Sequence, residues 1–167
     1  MAAAAERLGE ADAFHRIEEL YRRHASALMA VAYRLLMSRA DAEDVVHDLF
    51  VGLPEALRKY EERGSMESWL KRIVVRLALS RLRARRELPL DAAQDLTARP
   101  SDPTDRVALQ RALAELSPSL RAVLVLKEIE GFSHAEIAGM LGISVGASEV
   151  RLHRALRQLR ASLSEGE

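Results

Sequence analysis

The chain has 167 residues, with 25 Lys plus Arg against 25 Asp plus Glu, three Phe, three Tyr, one Trp and no Cys. That length suits one ordinary domain or two small ones, and the Leu-, Ala- and Arg-rich composition favours helices over sheets. The missing cysteine excludes disulfides and Cys-ligated zinc, as suits a reducing cytoplasm. The opening MAAAAERLGEAD turns acidic too early for a signal peptide, and no apolar run approaches the roughly 20 residues that span a bilayer.

From Phe14 to Leu36 apolar residues recur at helical spacing, with Phe14, Ile17, Leu20, Tyr21, Leu28, Val31 and Leu35 as candidate core. A second helix is expected after Ser38, whose side chain caps free amides while Asp41 complements the helix dipole. It runs through Val45, Val46, Leu49, Phe50, Leu53 and Leu57, and Pro54 is expected to kink or restart it. Gly64 and Ser65 open a third helix with Trp69, Leu70, Ile73 and Leu77 as core, joined by Leu79 or Leu82.

Periodicity then fails. ELPLDAAQDLTARPSDPTD holds three prolines among Asp, Ser and Thr and reads as a linker. Residues 88–103 could extend to about 55 Å at ~3.4 Å each. The expected fold is therefore all-α: two small helical domains, 1–87 and 104–167, joined by a flexible linker over 88–103. In the second domain Thr104 or Asp105 starts a helix, Ser117-Pro118 caps the next, and Gly131 ends it. Ser133-His134-Ala135-Glu136 forms a capping box, Gly142 stops that helix, and Ser144 caps the last. The unit 133–160 is thus a helix-turn-helix. Ile137, Ala138, Leu141, Gly142 and Ile143 occupy its core and turn positions; Val145, Leu152, Leu156 and Leu159 form the buried stripe of its second helix. Ala147, Val150, Arg151 and Arg154 fall on the opposite face.

Formal charge sums to zero, yet the charges are segregated. Acids dominate from Asp41 to Glu62, and only bases occur from Lys71 to Arg86: Lys71, Arg72, Arg76, Arg81, Arg83, Arg85 and Arg86. Bases return from Arg151 to Arg160. Two separate basic faces can hold a polyanion at zero net charge.

With these elements in place the chain resembles the extracytoplasmic-function sigma factors of RNA polymerase. FSHAEIAGMLGISVGASEVRLHRA and SPSLRAVLVLKEIEGFS are similar to the family's region four, and DAEDVVHDLFVGL and GSMESWLKRIVVRLALSRLRARR to its region two. The match runs in order over about residues 14 to 160, with the linker in the right place. The resemblance implies a protein that binds core RNA polymerase, reads promoter DNA and opens it. By position, Asp41, Glu43, Asp44, Asp48, Leu49 and Phe50 would bind core polymerase, an acidic face beside exposed apolar side chains suiting a basic helical partner. Trp69, Lys71, Arg72, Arg76, Ser80, Arg81 and Arg83 would follow the −10 element, although Trp69 at core spacing reads rather as packing. Ser144, Ala147, Glu149, Val150, Arg151 and Arg154 would meet the −35 element. The tether suits two promoter elements about two helical turns, near 70 Å, apart. An anti-sigma factor is a family expectation; no cofactor, metal, small-molecule substrate, enzymatic activity or membrane insertion is expected.

The sequence also departs from the family pattern. Arg76 and Ser80 stand where Asn and Asp are usual, and Ala147, Ser148, Glu149 and Val150 where Thr, Val, Lys and Ser are usual. Ser148, on the buried stripe, is expected to loosen packing. Glu149 could accept a bond from cytosine N4 or repel the backbone, while Ala147 and Val150 could touch thymine methyls. The alternative is a sigma-like mimic that sequesters an anti-sigma factor without reading promoters. An enzyme reading rests only on Asp44, His47 and Asp48 on one helical face, without the second motif a dimetal site needs. A stand-alone dimeric repressor would leave the N-terminal half unexplained.

Overall fold

A computed structural model of the chain describes residues 2–61, 64–87 and 105–164; the expected linker and Thr104 lie outside them. The described residues are all-α. Helix α1 spans Ala2–Leu36, α2 Arg39–Arg58 and α3 Met66–Glu87, followed by α4 Asp105–Glu115, α5 Pro118–Leu124, α6 His134–Leu141 and α7 Val145–Ser164. A π-helical turn, Val125–Ile129, prolongs α5. Among the described residues no helix is long and apolar enough to cross a membrane.

Helices α1 to α3 pack on one another through Leu28, Val31, Leu35, Val45, Leu49, Leu53, Leu70 and Val74. Met37, buried between α1 and α2, takes a left-handed φ of 50°, and its amide donates to the Tyr33 carbonyl. That conformation ends α1, and Ser38 then starts α2 by accepting from the Asp41 amide. The turn is built without glycine, at some steric cost offset by the burial of Met37.

Four expectations about packing are corrected. Phe14 is 73% exposed and Tyr21 also faces solvent, its ring set edge-on to Phe50 at 4.9 Å. Helical spacing does not reveal how far along a long helix its neighbours reach. Pro54 does not restart α2, which runs unbroken through it. It lies exposed near the C-terminal end, where the carbonyl it leaves unpaired can be hydrated. The buried stripe of α3 is Leu70, Val74, Val75, Ala78, Leu79 and Leu82, with Ile73 and Leu77 only half-buried. Val145 is exposed, and α7 buries Ser148 and Ala155 instead.

The C-terminal helices do not stand apart. Ala122, Val123, Val125, Leu126, Phe132 and Ile137 join the core built by α1 to α3, while Leu113, Leu116, Leu124 and Ala155 form a smaller cluster between α4, α5 and α7. Arg121, only 3% exposed, donates to the carbonyls of Leu113 and Leu116 at the end of α4 and to Leu35 at the end of α1. One guanidinium therefore caps the C-terminal ends of α1 and α4, from the two halves of the chain, where helix carbonyls run short of intrahelical donors. Burial lowers its pKa, and nearby Arg85 adds to the shift.

Candidate nucleic-acid interface

The helix-turn-helix forms as its punctuation predicts. The Ser133 hydroxyl accepts from the Glu136 amide, and the Glu136 carboxylate accepts from the Ser133 amide and hydroxyl. Those bonds, reinforced by Arg72, hold the Glu136 carboxyl below its ordinary range. Gly142, at φ 66°, ends α6, and the amides of Gly142 and Ile143 both donate to the Ala138 carbonyl. The left-handed turn is one that glycine adopts without strain. Ser144 then caps α7 by accepting from the Ala147 amide. The Ser117 side chain, by contrast, makes no capping bond to α5; its hydroxyl lies 3.3 Å from that of Ser119. Pro118 at the first position has no amide to cap.

On α7, Ser144, Glu149, Val150 and Arg154 are exposed, while Ala147 and Arg151 are half-buried beside them. At ~100° per residue, Ala147, Val150, Arg151 and Arg154 lie on one side of α7 in its first three turns, with Ser144 at its start and Glu149 roughly a quarter-turn beyond Val150. Ser148 is fully buried, and its hydroxyl lies 2.9 Å from the Nδ1 of His134 on α6. Ser148 thus lies on the buried stripe, as expected, and bonds across the two helices.

On α3, Arg76, Ser80 and Arg83 are exposed, Lys71 and Arg81 are about a third exposed, and Trp69 packs at 4.7 Å from the Tyr60 ring. Three of these cations meet the C-terminal helices. Arg72 pairs with Glu136 at 2.9 Å and lies over the Phe132 ring, Lys71 reaches Glu130, and Arg83 donates to the Met140 carbonyl. Glu130 sits just past the π turn with its side chain 4% exposed, shared between Lys71 and Arg34. Hydrogen bonding to Lys71 also depresses the Glu67 carboxyl.

On α2 the acids are in part already partnered. Arg81 binds Asp44 at 2.9 Å and reaches Asp41, which also pairs with Arg85, while Glu43 pairs with Arg39 along the helix. Asp48 is exposed and Phe50 half-buried. Leu49, expected as an exposed apolar contact, is buried at 3% and supports the helix from beneath; Val51, at 66%, is the large aliphatic side chain that α2 presents. A period-3.6 reading places Leu49 and Phe50 on adjoining faces, and only the packed helix α1 decides which one is covered.

Family models for sigma-70 region 2 and sigma-70 region 4 match residues 20–87 and 106–159. The chain is 35% identical over 166 residues to RNA polymerase sigma factor CarQ of Myxococcus xanthus, covering 95% of this chain and 94% of that protein. It belongs to the extracytoplasmic-function RNA polymerase sigma factors. It is also 35% identical to ECF RNA polymerase sigma factor SigE of Mycolicibacterium smegmatis over 89% of its own length but only 62% of that protein's. Among solved structures, the sigma factor RpoE from Bartonella quintana, in complex with the anti-sigma factor NepR, superposes with a TM-score of 0.64 at 25% identity, covering 88% of this chain and 96% of that one. CnrH, in complex with the cytosolic domain of CnrY, superposes at 0.58 with 31% identity, covering 98% and 99%.

In this sigma factor the residues that sequence reasoning missed are those whose partners are remote. Glu130 and Phe132 flank Gly131 in what reads as a helix end, with nothing local to show that they meet α3. Arg121 looks like one more surface arginine on a short helix. A signal existed for His134 and Ser148 alone: two polar residues where an apolar stripe is expected, fourteen apart across a turn.

Proposed function

We propose that this chain docks on core RNA polymerase and directs it to promoters, with α7 meeting the −35 element and α3 the −10 element. The division of labour follows residues 1–87 for polymerase and −10 DNA and 104–167 for −35 DNA, in the cytoplasm where polymerase and genome are. The observation that carries it is α7 itself: a doubly capped helix-turn-helix with Arg154 exposed and Arg151 half-buried on one side of it, inside a chain that matches both sigma-70 regions. Arginines there can bind guanine or phosphate, and Ala147 and Val150 suit thymine methyls.

On α3, Arg76 and Ser80 face solvent. Lys71, Arg72, Arg81 and Arg83 would complete a cationic track for the strand exposed on melting once DNA displaces Glu130, Glu136, Asp44 and the Met140 carbonyl from them. Trp69 supports that helix from its packed side. On α2, Asp48, Glu43 and Asp44 offer an acidic rim around Phe50, with Val51 added and Leu49 beneath, suited to a basic helical partner. The complex of RpoE with the anti-sigma factor NepR supports an anti-sigma factor as a further partner. The deciding experiment adds the purified chain to core RNA polymerase on genomic templates and maps transcript starts. Specific starts that vanish with Arg151→Ala plus Arg154→Ala are expected. A chain that joins an anti-sigma protein yet starts no transcript would be a sequestering mimic.

A further inference from the structure

Promoter choice by a helix-turn-helix depends on which side chains of its second helix meet the bases, and so on how that helix is rotated about its axis. Around α6 and α7 the packing is mostly aliphatic and small: Ile137, Ala138 and Ala155 are buried, with Leu141, Leu152 and Leu156 partly so. Such contacts are not directional. A hydrogen bond is. Ser148 lies in the first turns of α7 between Ala147 and Glu149, fully buried, with its hydroxyl 2.9 Å from the Nδ1 of half-buried His134.

The scale of the effect can be set. The useful range of such a bond is about 0.5 Å. On a helix with a side-chain radius of roughly 5 Å, that corresponds to a rotation of only about 6°. A rotation of about 15° would carry outward side-chain ends by more than 1 Å, enough to exchange one base-edge contact for another. We infer that the His134–Ser148 hydrogen bond sets the rotation of α7, making both residues positioning residues for −35 selectivity although neither meets DNA. This rests on the reading that α7 contacts the −35 element.

The bond holds in either neutral tautomer, the hydroxyl donating to a bare Nδ1 or accepting from Nδ1–H. Its loss has a defined consequence. A serine hydroxyl inside a helix, deprived of an outside partner, turns back to the carbonyl four residues earlier and bends the helix there. In α7 that carbonyl belongs to Ser144, which already accepts from the Ser148 amide at 3.1 Å. The bend would fall beneath Ala147, Glu149 and Val150.

The test uses holoenzyme reconstituted from core RNA polymerase and the full chain, selecting from duplexes randomised across both promoter elements, with thermal unfolding measured alongside. Ser148→Val and His134→Phe remove the bond; Ser148→Thr and His134→Asn preserve a partner of the right polarity. The expected result is a change of roughly fivefold or more in relative base preference within the −35 segment for both disruptive variants. The −10 preference should stay as in the native chain, and the two conservative variants should restore the native −35 motif. If Ser148→Val fails to fold, His134→Phe, at a half-buried site, carries the test. An unchanged −35 motif in the disruptive variants, whatever their melting temperatures, overturns the inference and leaves the pair a packing feature. A native holoenzyme that enriches no motif overturns the promoter-reading function itself, and this inference with it.

Discussion

The Arg34 guanidinium lies 3.3 Å from the Glu130 carboxylate across 96 residues of sequence, joining the longest helix of the N-terminal half to the π turn of the C-terminal half. Lys71 approaches the same carboxylate from α3. A carboxylate so enclosed depends on its partners, while the partners, each about a third exposed, remain solvated. Glu130→Ala should therefore lower stability by about 1–3 kcal/mol, less than for a pair buried on both sides. Urea unfolding checks this, and an Arg34→Ala cycle should return a coupling of at least about 0.5 kcal/mol.

Glu136 serves two partners, Ser133 and Arg72. Glu136→Gln should cost about 0.5–1 kcal/mol through the weakened capping box. It should also release Arg72, raising affinity of the free chain for single-stranded DNA about two- to fivefold, the scale of one exposed ion pair. Fluorescence anisotropy at fixed salt reads the second effect. A higher affinity with no change in salt dependence would place the gain in shape rather than charge.

The depressed Glu136 carboxyl also sets a pH dependence. Because its pKa is lower in the folded than in the unfolded chain, its contribution is fully present above the ordinary glutamate value, about 4.3. It is lost as pH falls through the lower folded value. Native chain should lose this increment between about pH 4 and more acid conditions, and Glu136→Gln should not. The difference between their unfolding midpoints against pH measures it.

Gly142 adopts φ 66°, and a Cβ added there would meet no other atom within 4 Å. Gly142→Ala should thus cost only the strain of the left-handed backbone, about 1–2 kcal/mol. Ala155→Leu is the contrasting case. It forces bulk into a fully buried contact against Leu113, Leu116 and Leu124, and should cost about 1–3 kcal/mol by overpacking. Thermal melts of both variants separate backbone strain from packing when compared with Gly142→Asn, since asparagine tolerates this φ.

Glu149 is exposed on α7. As a reader of cytosine N4, it makes Glu149→Lys change the ranking of −35 elements rather than their common affinity. A uniform gain across all sequences, with a salt slope steeper by about one, would reduce it to a backbone repulsion. Competition binding on a panel of −35 variants at two salt concentrations distinguishes the two.

What the sequence determined by itself is local. Ser38, Ser133, Ser144, Glu136 and Gly142 act within about four residues, so caps, the left-handed turn, the helix-turn-helix and the family resemblance were legible without coordinates. The tertiary structure alone decided which neighbour covers each stripe. It buries Leu49 and leaves Val51 out, exposes Phe14 and Val145, and carries α2 unbroken through Pro54. It also decided the charge partners: Arg72 with Glu136 across 64 residues, and Arg81 with Asp44 across 37. Those pairings join groups whose separation along the chain carries no information about their distance in space. A helix's period tells which residues share a face, and only the helices packed against it tell where that face looks.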